Sequence, residues 1–167
     1  MRFYALPLIL HISLVITPAL CSAATPSDYI EDFSCEGGRL GLRLPATLPE
    51  LIRIGKLNKT ELLEVKHWDG YVAERKDLYF EGLTLGIISF SNAPDRYMIL
   101  FSEIHNKKWF ELSPFHIGQK PKEVIDVLGV NIKRNQLEKP YGSESGGVNF
   151  SFRDGRLSRI IYSCCTG

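Results

Sequence analysis

The chain is short of the features that most often announce a chemistry. Beyond residue 24 no apolar stretch approaches the ~20 residues that a membrane-spanning helix needs, which predicts no stable membrane anchor. Charge of one sign is not in surplus. Lys and Arg number 20 against 19 for Asp and Glu, a balance that predicts no nucleic-acid partner. Cysteines number 4, without a C-x-x-C pair or histidines at ligand spacing, so no zinc site and no cofactor are expected. Glycine loops that cradle phosphate are missing too. Gly142-Ser-Glu-Ser-Gly146 superficially resembles a nucleophile elbow, but Glu144 stands where that motif needs serine. His67, His105 and His116 are scattered through strand and loop contexts, the ordinary setting of solvated histidines.

What is present begins with an address. Arg2 precedes an apolar run from Tyr4 to Ile16, then Pro18 and the small-residue segment Cys21-Ser22-Ala23-Ala24. This three-part layout predicts a cleavable secretory signal over residues 1–23. A bacterial lipobox prefers a small residue where Leu20 stands before Cys21, so lipidation is not expected. Residues 24–167 then form a single domain, expected in the periplasm. Its 144 residues can bury roughly 68–70% of their unfolded surface, enough for a core without metal.

The remaining cysteines fit an oxidising compartment. Cys35 lies near the start of the domain, and Cys164 and Cys165 lie near its end. A bridge from Cys35 to either of them ties the two ends together and, on the chain-entropy model, contributes about 4–5 kcal/mol. Strand parity favours Cys164, because it continues the face of Tyr162 whereas Cys165 points away.

Strand patterns dominate the domain. Val148, Phe150 and Phe152 alternate before Asp154-Gly155, and Ile160 and Tyr162 follow it. A three-residue turn with Gly155 left-handed brings both sets onto one face, whereas a plain two-residue turn sets Arg159 opposite the phenylalanines. A second hairpin is predicted at Asp69-Gly70, between Glu61–Trp68 and Tyr71–Phe80. A third joins Leu83–Ser91 to Tyr97–Ile104 through the turn formers Asn92-Ala-Pro-Asp95. Leu83–Phe90 is apolar enough for a central strand. Two short helices are predicted. Thr47-Leu-Pro-Glu50 has capping-box spacing, and Lys120–Leu128 begins with Pro121, stops at Gly129 and aligns Val124, Val127 and Leu128. Element order suggests an α+β fold, an antiparallel sheet of two loose helix-plus-hairpin repeats (residues 45–112 and 113–165) with both helices on one face.

The segments His116-Ile-Gly-Gln-Lys-Pro-Lys-Glu-Val-Ile-Asp-Val-Leu-Gly129 and Gly147-Val-Asn-Phe-Ser-Phe-Arg-Asp-Gly-Arg-Leu-Ser-Arg-Ile160 resemble a repeat of the β-lactamase-inhibitor-protein-like superfamily, which includes small outer-membrane assembly lipoproteins. The shared pattern is a glycine, a helix with an apolar stripe ending in Leu-Gly, and a hairpin with an Asp-Gly turn. The resemblance implies a scaffold that works by binding proteins in the bacterial envelope and carries no catalytic residue. The chain departs from the lipoprotein members in lacking a lipobox.

The residues left over suit protein recognition. Trp68, Asp69 and Tyr71 sit at a hairpin tip, and Tyr141 and Glu144 belong to a Gly/Ser-rich loop before the last hairpin; aromatic and charged anchors of this kind carry binding energy at interfaces. Trp109 and Phe110 are expected to cover the sheet. The sequence therefore predicts an exported periplasmic binding protein, not an enzyme, that inhibits or neutralises an enzyme, such as an immunity protein against a secreted antibacterial effector. An envelope-assembly adaptor is the alternative. A secreted hydrolase would need a His–carboxylate pair in a cleft.

Overall fold

A computed structural model of the chain describes residues 29–31, 33–130 and 137–164. The segment assigned to the signal and Cys165 lie outside these residues. Helix α1 spans Leu48–Ile52, strands β1 to β4 span Leu57–Trp68, Tyr71–Phe80, Leu83–Phe90 and Ala93–Ile104, helix α2 spans Pro121–Leu128, and β5 to β7 span Tyr141–Ser143, Gly146–Arg153 and Arg156–Cys164. The strands form one seven-stranded antiparallel sheet in the order β1-β2-β3-β4-β7-β6-β5.

The fold is thus mostly β with two short helices, and the two expected repeats are not what the chain forms. The first unit is a continuous four-strand meander of long strands, and the second is a three-strand unit whose β5 has 3 residues. The cause is local. Glu81-Gly82 makes a further tight turn, Phe80 pairing with Leu83 and Gly82 taking φ 71°, which joins the second and third hairpins into one ribbon. The units meet edge to edge where Ile104 of β4 faces Ile160 of β7.

Period-two alternation places every buried apolar strand residue on one face. Leu78 and Phe80 of β2, Leu83, Leu85 and Ile87 of β3, Ile99 and Ile104 of β4, and Val148, Phe150, Leu157, Ile160 and Tyr162 of β6–β7 share it. Against this face pack Phe33, Leu40 and Leu42, Leu51 of α1, Trp109, Phe115, and Val124 and Leu128 of α2. Thr47 caps α1 by accepting from the Glu50 amide at 3.4 Å. Helix α2 opens with the Lys120 amide donating to the Glu123 carboxylate at 2.6 Å and closes on Gly129 at φ 70°.

The last hairpin keeps the expected face by a different device. Asp154 and Gly155 are both left-handed, φ 52° and 71°, giving a two-residue turn in which Arg153 pairs with Arg156. The extra residue sits inside the ladder, where Ser151 faces Arg159 but Phe152 faces Leu157. That bulge, and not a longer turn, returns Ile160 and Tyr162 to the phenylalanine face. Asn92-Ala-Pro-Asp95 likewise differs from a plain loop. Strand β4 begins at Ala93, and Pro94, Asp95 and Arg96 bulge out between the Phe90–Ala93 and Ser89–Tyr97 pairs, where proline's missing N–H removes no ladder bond.

Cys35 and Cys164 form a disulfide across 129 positions of sequence, with Cα atoms 5.4 Å apart. It fixes the segment before α1 onto β7. Beside it Tyr162 is fully buried, its hydroxyl donating to the Leu40 carbonyl at 3.0 Å and accepting from Ser113 Oγ at 2.9 Å, while Ser113 accepts from the Phe115 amide. Burial raises the Tyr162 hydroxyl pKa far above the usual tyrosine range, despite the opposing bond to Ser113.

Candidate protein-contact surface

Strand β1 is one edge of the sheet, unpaired on its outer side among the described residues, and the β1–β2 hairpin is an arm that leaves the core behind. All residues from Leu62 to Trp68 are exposed, whereas β2 becomes buried only near its Asp77–Phe80 end. Leu62, Leu63, Val65 and Trp68 are four of the eight exposed large apolar side chains among the described residues. Leu62 and Val65 share the face of Glu74 and Lys76, whereas Trp68 shares the opposite face with Tyr71, so the arm exposes apolar side chains on both faces. The lysines and glutamates of the strand answer the hazard of a bare edge. Lys59 pairs with Glu61 and Lys66 with Glu64, and a bulge at Leu63 breaks the ladder, both devices that oppose indiscriminate strand addition.

The tip is held firmly. Gly70 takes φ 86°, with open space where a Cβ would stand. Trp68 is 58% exposed and stacks on Tyr71 with centroids 6.3 Å apart at 15°, and Tyr71 meets the edge of Phe90 at 6.1 Å. The neighbouring β3–β4 turn braces the base of the tip. Ser91 Oγ accepts from the Val72 amide at 2.8 Å, and the Ser91 amide donates to the Val72 carbonyl at 2.9 Å. An exposed indole is therefore presented on a scaffold that has already lost its freedom, the condition under which burial on binding gains most. Asp69 lies at the turn beside it, exposed.

Below the tip, the same sheet face carries a polar cluster. Tyr79 donates to Glu61 at 3.0 Å and lies 3.5 Å from Asp77. Hydrogen bonds from Lys59 and Tyr79 lower the Glu61 carboxyl below its ordinary range. Asp77 moves the other way because burial raises it, partly offset by Arg75. Its Oδ1 is buried without a hydrogen-bond partner. Next to it Phe101 lies over Gly86, its cross-strand partner, filling the space a side chain would otherwise occupy.

The structure separates the two groups of expected contact residues. Trp68, Asp69 and Tyr71 stand together on the β1 edge, whereas Tyr141 and Glu144 belong to β5 and its turn at the opposite edge. Tyr141 is 1% exposed and packs against Phe150, so it is a core residue and corrects the expectation of a surface anchor. The Gly/Ser loop is also stitched down, because Ser143 and Ser145 both donate to the Phe33 carbonyl. Glu144 remains exposed there, on an edge where half-exposed Tyr29 bridges Gly142. Trp109 covers the sheet as expected, edge-on to Phe80 and donating to the Glu81 carbonyl, but Phe110 is 55% exposed.

The histidines form no metal cluster among the described residues. His105 Nδ1 does lie 3.5 Å from Glu103, but that carboxylate is shared with Arg159 at 2.7 Å. Nearby, Ser158 Oγ donates to the Ser151 carbonyl at 3.0 Å. The sequence expectations place contact residues at the hairpin tip and in the Tyr141 loop and do not include the exposed Leu62 and Val65. The signal was there: β1 carries leucine and valine on the face that its partner strand fills with Glu74 and Lys76. No helix among the described residues is long and apolar enough to cross a membrane. Comparison with protein-family models, with curated proteins and with solved structures gives no match to this chain.

Proposed function

We propose that the chain is an exported periplasmic protein-binding module that neutralises an enzyme by occlusion, with the β1–β2 arm as its contact surface. The observation that carries this reading is the braced tip: an indole 58% exposed, stacked on Tyr71, on a rigid arm whose outer strand also exposes Leu62, Leu63 and Val65. Trp and Tyr are the side chains most often found at the energetic centre of interfaces, and a protruding hairpin suits a concave active site. The Cys35–Cys164 bridge fits an oxidising compartment, and the residue 1–23 pattern supports export. The likeness of residues 116–129 and 147–160 to the β-lactamase-inhibitor-protein-like superfamily supports inhibition as the mode of action.

Challenge of a deletion strain by kin delivering their own envelope-targeted effectors tests the reading. Sensitivity that is rescued by the wild-type gene, and not by a Trp68→Ala, Tyr71→Ala double variant, is the expected result. Unchanged resistance on deletion, together with raised outer-membrane permeability in the absence of any effector, would replace inhibition with the assembly-adaptor role.

A further inference from the structure

At the end of the sheet opposite Trp68, a cleft of about 670 Å³ opens between the end of β4, the residue 116–119 segment and the β6–β7 turn. Its walls carry Lys107, Arg153, Arg156 and Arg159, beside His105, against a single lining carboxylate, Asp154. Lys120 and Lys122 continue the same wall across Arg156. In a chain whose acids and bases nearly cancel, this is a local concentration of one sign. Two of the guanidinium groups are fixed in place. Arg156 Nη1 donates to the Gly118 carbonyl at 2.9 Å, and Arg159 Nε lies 2.7 Å from Glu103. That nitrogen is buried, and Glu103 compensates the Arg159 charge, so the cations of the cleft without a carboxylate partner are Lys107, Arg153 and Arg156 among the described residues. Lys107 is positioned across Gly118, whose φ of 97° and lack of a side chain leave room for the lysine stem. Ile117 and Leu157 supply an apolar floor.

We propose that this cleft binds a ligand bearing a diphosphate or a clustered phosphate group, with Arg153 and Arg156 as the principal contacts and Lys107 closing over it. One carboxylate engages a single guanidinium bidentately, whereas several cations around one space call for an anion of higher charge with many acceptor oxygens. The volume falls within the range that holds a small molecule, and the floor accommodates an uncharged remainder. A soluble phosphate ester and a phosphorylated lipid headgroup share this chemistry. The site is independent of the hairpin arm and stands or falls separately from the proposed inhibition.

Calorimetric titration of the purified chain with inorganic pyrophosphate at low salt tests the site, alongside an Arg153→Gln, Arg156→Gln double variant and a Lys66→Gln control on the arm. Saturable binding that weakens at least tenfold in the double variant, is unchanged in the control, and fades as salt screens it supports the proposal. The replaced side chains are exposed, and a circular-dichroism melt checks that the variant is folded. Co-sedimentation with phosphatidylglycerol vesicles identifies the source: capture that depends on the same arginines assigns a headgroup, and pyrophosphate binding without capture assigns a soluble ester. Equal pyrophosphate binding by wild type and double variant, or binding of neither probe, overturns it.

Discussion

Individual side chains divide here into those that hold the fold and those that the fold displays. Tyr162 is the clearest of the first kind. Its hydroxyl is satisfied twice in a fully buried setting, and removing it leaves the Leu40 carbonyl and Ser113 without their partner. Tyr162→Phe should therefore cost about 1–3 kcal/mol in urea unfolding. Tyr97 tells a related story. Burial, with smaller contributions from Glu36 and Glu50, pushes its hydroxyl up to about 12, and it donates to the Pro45 carbonyl. A folded-state pKa above the unfolded value of 10.0 means that the stabilisation is complete below pH 10 and is lost as pH rises toward 12. Tyr162 acts in the same direction. Stability measured by urea unfolding should accordingly be lower at pH 11 than at pH 8, with tyrosinate absorbance lagging behind that of the urea-unfolded chain. Tyr141 shows why a residue's neighbours in sequence mislead: a Gly/Ser run reads as a solvated loop, yet pairing with Val148 turns the ring into the core.

At the level of elements, turn chemistry was the most legible signal. Asp69-Gly70, Asp154-Gly155, Thr47 and Gly129 all lie at the predicted boundaries, because left-handed backbone and caps are local demands that few residues meet. Register was less legible. The bulges at Leu63, at Ser158 and around Pro94 shift which side chains face the core, and they are set by pairing between strands, not by any one strand's composition. The segment from Phe33 to Leu42 carries no periodic pattern, yet it supplies a wall of the core, since its course is dictated by the disulfide and by the Tyr162 hydroxyl. The braced tip gives this scale its own test. Ser91→Ala removes the acceptor for the Val72 amide and should raise hydrogen exchange at Val72 and its neighbours, leaving exchange in β6 and β7 unchanged.

For the whole molecule, the disulfide and the one-sided sheet set the terms. A bridge closing 129 positions removes much of the unfolded chain's freedom, so reduction, or Cys35→Ser, should cost about 3–5 kcal/mol and lower the melting temperature by roughly 10–20 °C. Among the described residues the sheet is covered on one face, and its β1 edge extends past that cover. A sheet with its helices on one face could be anticipated from the alternation of strands and the two capped helices. The unequal units and the protruding arm could not, because both depend on where the meander runs past the core. That overhang leaves Leu62 and Val65 exposed on the face that the core covers farther along the sheet, and Trp68 exposed on the other.

The most direct test of the arm as the proposed contact surface is the affinity of the wild-type chain and of Trp68→Ala for the effector enzyme to which the deletion strain is expected to become sensitive, measured by calorimetry beside their unfolding free energies. The account predicts a loss of binding of at least 2 kcal/mol, roughly thirtyfold, with stability unchanged within about 0.5 kcal/mol. Equal affinity of the two proteins, with both fully folded, would contradict it.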